Sequence, residues 1–514
     1  MSLLHLLSVV LVLLLVACES TPAAVPPQAP QPSTPASSAP PSLLPPPAET
    51  PDAEFRKQAP TPGPPIVFKP PRIHEARLSN GIRVLLVEQR QLPIVALQVV
   101  ATRGAAQGRP GIGSFTGAML LAGTKKHSAT ELSDAWEGLG ASHWASIDHD
   151  GGYVGVQVLS SKLSEALELL AEVIREPTFP KNELELERAR RLTLLQQERD
   201  NPGRLLQRAV DETLYPPGHP YASSLLGNEA AVEKISTRDL ANFHRAHFQP
   251  DRLTVVAAGD FSKDTLVDAL ERALGKLRGK AEKAREVQAP PPLKDAPNVL
   301  ILDRPGASQS HVAVAQVGVS RATEDFEAIL LMNTILGGQF SSRLNLNLRE
   351  KHGYTYGVGS SFTMRQGPGP FAVHGAIVRE HTADALREIL AELERIRSQL
   401  VTEEELADAK AYLIRRIPSF FESANGIAST LASMAVYGLP LDEFTRRAER
   451  LERITREDVQ RVAGKYLMPE RFRVIVVGDA EAVRPSLDAL KLGKIEVRKP
   501  AASKKKEPLG NKRK

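Results

Sequence analysis

Two stretches of this 514-residue chain align without a gap at an offset of 219 residues, Ile235–Asp260 (ISTRDLANFHRAHFQPDRLTVVAAGD) against Ile454–Asp479 (ITREDVQRVAGKYLMPERFRVIVVGD). Ile235 falls on Ile454, Asp239 on Asp458, Pro250 on Pro469, and Gly259-Asp260 on Gly478-Asp479. Each copy reads as a helix, a proline stop and a strand of β-branched residues closing in Gly-Asp. A match of this length implies an internal duplication, with two homologous domains of roughly 200 residues each.

Weaker echoes agree. The first half opens with LSNGIRVLLVEQRQLPIVALQVVATRG and the second with NVLILDRPGASQSHVAVAQVGVS, each read as a hairpin-like pair of strands. Ser128-Ala-Thr-Glu131 and Thr402-Glu-Glu-Glu405 are capping boxes that start helices. Leu163, Ala166, Leu167, Leu170, Val173 and Ile174 form a helical stripe. Strands and helices mix without strict alternation, so each half is expected to be α+β, a mostly antiparallel sheet packed with helices. The expected domains are 72–278 and 298–482, joined by a charged and then proline-rich linker, 279–297.

The ends read differently. Residues 2–17 are an apolar run closing at Cys18, the only cysteine, which excludes a disulfide scaffold. Leu15-Val16-Ala17-Cys18 resembles the lipobox of bacterial lipoproteins, although no Lys or Arg precedes the run. The expectation is a lipoprotein signal peptide, 1–18, with Cys18 acylated; the plain alternative is an ordinary signal peptide. Residues 19–71 follow as a tether, and 18 of the 40 prolines lie between Pro22 and Pro71. That composition favours an extended spacer over a packed core. The segment from Lys504 to Lys514 has six positive residues and one Glu, which accounts for the whole net charge of +5. A nucleic-acid-binding body is therefore not indicated. Residues 483–514 are expected to be a disordered basic tail, with binding to an anionic lipid surface as a weaker reading.

The segment from Gly111 to Thr124 (GIGSFTGAMLLAGT) resembles the start of the first catalytic helix of the pitrilysin/insulinase zinc peptidases, the group that includes mitochondrial processing peptidase. The resemblance extends over roughly residues 72–482, two domains of typical size. In that family this segment carries His-x-x-Glu-His, an inverted zinc motif whose histidines bind metal and whose Glu activates water. The anchors Gly111, Met119, Leu120, Gly123 and Thr124 stand here. The first His position is Ser114, the Glu position Gly117 and the second His position Ala118, while the remaining Glu ligand falls on Leu194. The resemblance therefore implies a member with no metal site and no cofactor of its own. Two other clusters offer histidines: His244 with His247, and His143 with Asp148, His149 and Asp150. Neither has the full ligand set of a catalytic zinc site. The first reads as structural at a helix end, and the second as an alternating strand with exposed polar residues.

The second half keeps LGGQFSSRLNLNLREKHGYTYGVGSSF, residues 336–362. It resembles the family segment in which an Arg, followed seven residues later by a Tyr, reaches substrate; those positions are Arg349 and Tyr356. A guanidinium and a phenol can donate hydrogen bonds to the oxygen that gains charge during peptide hydrolysis. The bland reading pairs Arg349 with a nearby carboxylate and packs Tyr356 in a strand. Gly367-Pro-Gly-Pro370 is a turn signal without a phosphate-loop pattern. Some family members divide the labour between two chains, and this one resembles the chain without zinc. The expected function is a non-catalytic, substrate-contacting subunit. Its expected partners are a zinc-bearing homologous peptidase subunit, a peptide substrate and, through its lipid, a membrane. It would face the periplasm of a bacterial cell envelope. The alternative is a non-enzymatic scaffold of an envelope assembly.

Overall fold

The computed structural model describes residues 68–499 apart from 292, 294 and 295. The signal segment with Cys18, most of the proline-rich tether and the lysine-rich terminus lie outside the described residues.

Two six-stranded sheets organise the chain. The first contains β1 (His74–Arg77), β2 (Arg83–Glu88), β3 (Ile94–Ala101), β4 (Ser142–Ile147), β5 (Gly152–Leu159) and β6 (Leu253–Gly259), in the order β1-β2-β6-β3-β5-β4. The second contains β7 (Val299–Asp303), β8 (Gln309–Val317), β9 (Thr355–Phe362), β10 (Pro370–Val378), β11 (Arg473–Gly478) and β12 (Ile495–Arg498), in the order β12-β7-β11-β8-β10-β9. Five strands correspond one for one. In both sheets the strand that closes the repeat, β6 or β11, runs parallel to β2 or β7 and antiparallel to β3 or β8. Each half is thus α+β with a mostly antiparallel sheet, and the two halves are homologous. The capping is duplicated too: Ser236 with Asp239 and Thr455 with Asp458 are complete capping boxes, as are Ser128 with Glu131 and Thr402 with Glu405.

Three expectations need correction. β2 and β3 are not hairpin partners, nor are β7 and β8, because β6 and β11 insert between them. The tail does not begin at 483: the helix Ala480–Asp488 and β12 follow, and β12 pairs in parallel with β7 through Ile495 against Val299. The tether ends before 71, since Phe68 packs against Phe421 with ring centroids 5.6 Å apart and the rings tilted.

Strand β3 shows how the core is divided. Val95, Leu97 and Val99 face one hydrophobic cluster with Phe115, Leu132, Trp136, Leu170 and Ile174 of the first half's own helices. The alternate residues Ala96 and Val100 face another, as a two-residue period requires. That second face is covered by Ile427, Leu431 and Met434 of the helix Ala424–Tyr437, which belongs to the second half. The exchange is reciprocal. The helix Pro202–Leu214 of the first half puts Leu205, Leu206 and Val210 on Leu300, Leu302, Ala313 and Ile475 of the second sheet. Each fully buried Leu, Ile, Val or Met contributes about 1.5–3 kcal/mol.

A polar knot ties the halves beside these helices. Asp150 accepts hydrogen bonds from the Tyr437 hydroxyl at 3.0 Å and the Tyr221 hydroxyl at 3.4 Å. Tyr221 in turn accepts the Gly367 amide at 3.1 Å, and Gln366 Nε2 donates to the Thr102 and Val436 carbonyls. The turn at Gly367-Pro-Gly-Pro370 is therefore a plug between the halves. The buried Asp211 lies near this knot. Burial pushes its carboxyl up to about 7, against the opposing charge of Arg365. With the folded pKa above the unfolded value, Asp211 favours folding below the unfolded pKa, and that stability is lost as pH rises through about 7. We expect Asp211→Asn to remove part of the loss of stability between pH 4 and pH 8. Denaturant titrations should show the variant gaining on wild type by on the order of 2–4 kcal/mol as pH rises from 4 to 8.

Candidate functional site

The helix that aligns with the zinc motif runs from Ile112 to Met119 and packs Ile112, Phe115 and Met119 into the first core. Gly117, at the position of the family's Glu, is buried against β4. A Cβ there would lie 2.8 Å from the Ile147 amide nitrogen and 3.0 Å from the Ser146 carbonyl carbon. The helix and the strand have closed on each other, so more than a side chain is missing. Ala118 is exposed, Ser114 is half-buried, and Leu194 is half-buried on the long helix Lys181–Asp200.

A cationic side chain fills the space beside Ser114. Arg191, one turn before Leu194, is 3% exposed. Its Nη1 donates to Ser114 Oγ at 2.9 Å and its Nε to Glu187 Oε1 at 2.7 Å. Its Cζ lies 4.7 Å from the centroid of the Phe115 ring. Ser114 Oγ also donates to the Leu225 carbonyl. Burial pulls the guanidinium below its ordinary pKa, and Glu187 opposes that. A hydroxyl, a glycine, a methyl group and a leucine offer no zinc ligand set. With a guanidinium hydrogen-bonded to Ser114, the residues at this position do not fit the metal that the motif would hold. Among the described residues, no group of three or more His, Cys, Asp or Glu is placed to hold a metal ion.

The other histidines are structural. His244 donates from Nε2 to the Ile174 carbonyl at 3.0 Å and stacks on Phe248. Burial pushes its pKa down to about 4. His247 donates from Nδ1 to the Phe243 carbonyl at 2.8 Å and stacks on the same residue's ring. His143 stacks on Trp136. The expectation of an exposed polar strand at 148–150 is wrong. These residues form the turn between β4 and β5, with Asp148 Oδ1 accepting from the Asp150 and Gly151 amides, and Asp150 belongs to the buried knot.

Arg349 and Tyr356 lie on the second half, in neighbouring elements that pack on each other. Arg349 sits in Leu346–Lys351, a widened helical segment where the His352 amide reaches back five residues to the Asn347 carbonyl. Such π-type segments recur at functional sites. Its guanidinium rests 4.3 Å from the Phe340 ring centroid and 3.5 Å from Glu350. Glu350 is thus a nearby carboxylate, as the bland reading anticipates, but the pair is partly exposed and contributes little. Tyr356 is on β9, the edge of the second sheet, and is 91% exposed, not packed. Phe340, 68% exposed, carries the Arg349 guanidinium over its ring. Arg343, two residues beyond Ser341, makes a paired contact of 2.6 and 2.7 Å with Glu405 and fixes this loop.

Neither Arg191 nor Phe340 is marked by a motif in the sequence. Arg191 lies four residues after Glu187, a spacing that brings both to one helical face. That this face meets Ser114 is a long-range fact.

Two similar sheets with exchanged helices, a degenerate metal motif in the first half and an intact Arg–Tyr segment in the second define a peptidase-like protein without a zinc motif. Residues 83–229 match the family model described as insulinase (peptidase family M16), and residues 234–413 match the one described as the peptidase M16 inactive domain. The chain belongs to the M16, or insulinase, family. It is 26% identical over 425 residues to an uncharacterized zinc protease of Mycobacterium bovis, covering 81% of this chain and 95% of that one. It is similar to the crystal structure of a peptidase M16 inactive domain from Pseudomonas fluorescens, at 29% identity and a TM-score of 0.70, over 79% of this chain and 98% of that one. A protease from Helicobacter pylori shares the fold at 21% identity and a TM-score of 0.71, over 79% of this chain and 99% of that one.

Restoring the motif in the sequence alone should therefore fail. The triple variant Ser114→His, Gly117→Glu, Ala118→His is expected to bind far less than one zinc per chain by elemental analysis. Overpacking at Gly117 should cost about 1–3 kcal/mol of stability. Stoichiometric zinc with unchanged stability would contradict the closed geometry.

Proposed function

We propose that this chain is a non-catalytic subunit of an M16-type peptidase assembly, and that it contributes Arg349 and Tyr356 to peptide bound at the zinc of a homologous partner. The observation that carries the reading is the contrast between two places: the metal position is filled by Arg191, whereas Phe340 beside a half-exposed Arg349, and Tyr356 on the neighbouring strand, stand in solvent. Exposed aromatic side chains and a guanidinium are the groups expected where a second molecule docks. Zinc would belong to the partner and not to this chain. Acylation of Cys18, with the proline-rich segment as spacer, would hold the assembly at the periplasmic side of a bacterial envelope membrane.

The test is reconstitution. The chain is purified alone and together with a homologous subunit that has an intact His-x-x-Glu-His motif, and peptide hydrolysis is measured. Alone it should be inactive. In the complex, Arg349→Ala should lower the rate on the order of 10²–10³-fold while assembly persists, the usual cost of losing one oxyanion donor. An assembled complex with an unchanged rate would make the chain a scaffold.

A further inference from the structure

The exchanged helix Ala424–Tyr437 does not cover the whole outer face of the first sheet. Toward the free edge, between this helix and strands β3, β5 and β4, lies a trough of about 410 Å³. This is within the range of small-molecule sites, about 300–1,000 Å³.

Its lining differs from the rest of that interface. The helix presents Asn425, Ser429 and Ser433, four residues apart and so on one stripe. The sheet presents Gln98, Trp144, Ser146 and Tyr153. No lining side chain is charged. Gln98 is 3% exposed and stands between Ala96 and Val100 on an otherwise apolar face. Its Nε2 reaches Ser429 Oγ only at 3.5 Å, the outer limit of a hydrogen bond. An amide buried with so weak a partner costs stability that an apolar residue would not. Trp144 has a prepared seat. A Cβ on residue 155 would fall 2.3 Å from the indole, so only Gly155 lets the ring lie on β5 while it lines the trough.

A ligand matching this surface is uncharged, carries amide and hydroxyl groups together, and has an apolar face for the indole. We propose that the trough binds a neutral N-acetylated saccharide. The ring face lies on Trp144, the acetamide meets the Gln98 and Asn425 amides, and the hydroxyls meet the serines. Charged ligands lack a counter-ion in the lining. This site is separate from Arg349 and Tyr356, so its fate does not depend on the peptidase reading.

Trp136 and Trp144 are the only tryptophans, and Trp136 is buried, so emission changes report on Trp144. The full-length protein is titrated with tri-N-acetylchitotriose by fluorescence and calorimetry. A saturable emission change is expected. Trp144→Ala, Ser429→Leu and replacement of the sugar by its de-N-acetylated form should each weaken binding about tenfold or more, roughly 1.4 kcal/mol. Ser429 is exposed on the helix, so its variant tests the trough even if Trp144→Ala does not fold. No saturable change at millimolar sugar overturns the proposal. So does unaltered binding by folded Ser429→Leu, or equally tight binding of an uncharged Ser/Asn peptide, which would assign the trough to polypeptide.

Discussion

Both faces of each sheet are apolar, and neither half owns enough helix to cover them. The first sheet turns Val95, Leu97 and Val99 to one side and Ala96 and Val100 to the other, and the second set packs against residues from beyond the linker, Ile427, Leu431 and Met434 among them. The second sheet depends in the same way on Leu205, Leu206 and Val210. Exposing either face would leave a large apolar surface in water. The reciprocal exchange therefore makes one cooperative body of a duplicated sequence, and it aligns the polar knot around Asp150, Tyr221 and Tyr437 across the junction.

Duplication also lets the two halves diverge. In the first half, the segment that aligns with the zinc motif has become a packing element. Gly117 admits β4 at backbone distance, and Arg191 supplies a fixed positive charge beside Ser114, neutralised by Glu187. In the second half, the loop before Arg349 stays open, held by the Arg343–Glu405 pair and exposing Phe340. A buried guanidinium bonded on two sides is costly to displace, since breaking a buried pair typically costs about 3–5 kcal/mol.

Much of the architecture was legible because its signals are local. The capping boxes at Ser128 and Thr402 and the helix–proline–strand repeat need only neighbours in sequence. The order of strands was not: β6 lies far along the chain from β2 and β3, and nothing between residues 83 and 101 says that a third strand separates them. The strand Ile495–Arg498 was hidden by its place near a lysine-rich end. At the site, the absence of ligands at Ser114, Gly117 and Ala118 could be read directly. The closure of the space could not, because it depends on Ile147 and Arg191 arriving from other elements. Asp150 was misplaced for the same reason, since two tyrosines distant in sequence turn an apparent surface carboxylate into a buried acceptor.

A guanidinium, and not a metal, holds the position beside Ser114. Diffraction from crystals of the whole chain grown with zinc, measured at the zinc absorption edge, tests this most directly. No anomalous peak is expected among Ser114, Ala118 and Leu194, and the Arg191 guanidinium should remain in hydrogen-bond contact with Ser114 Oγ. A full-occupancy zinc peak there, with Arg191 swung away, would contradict it.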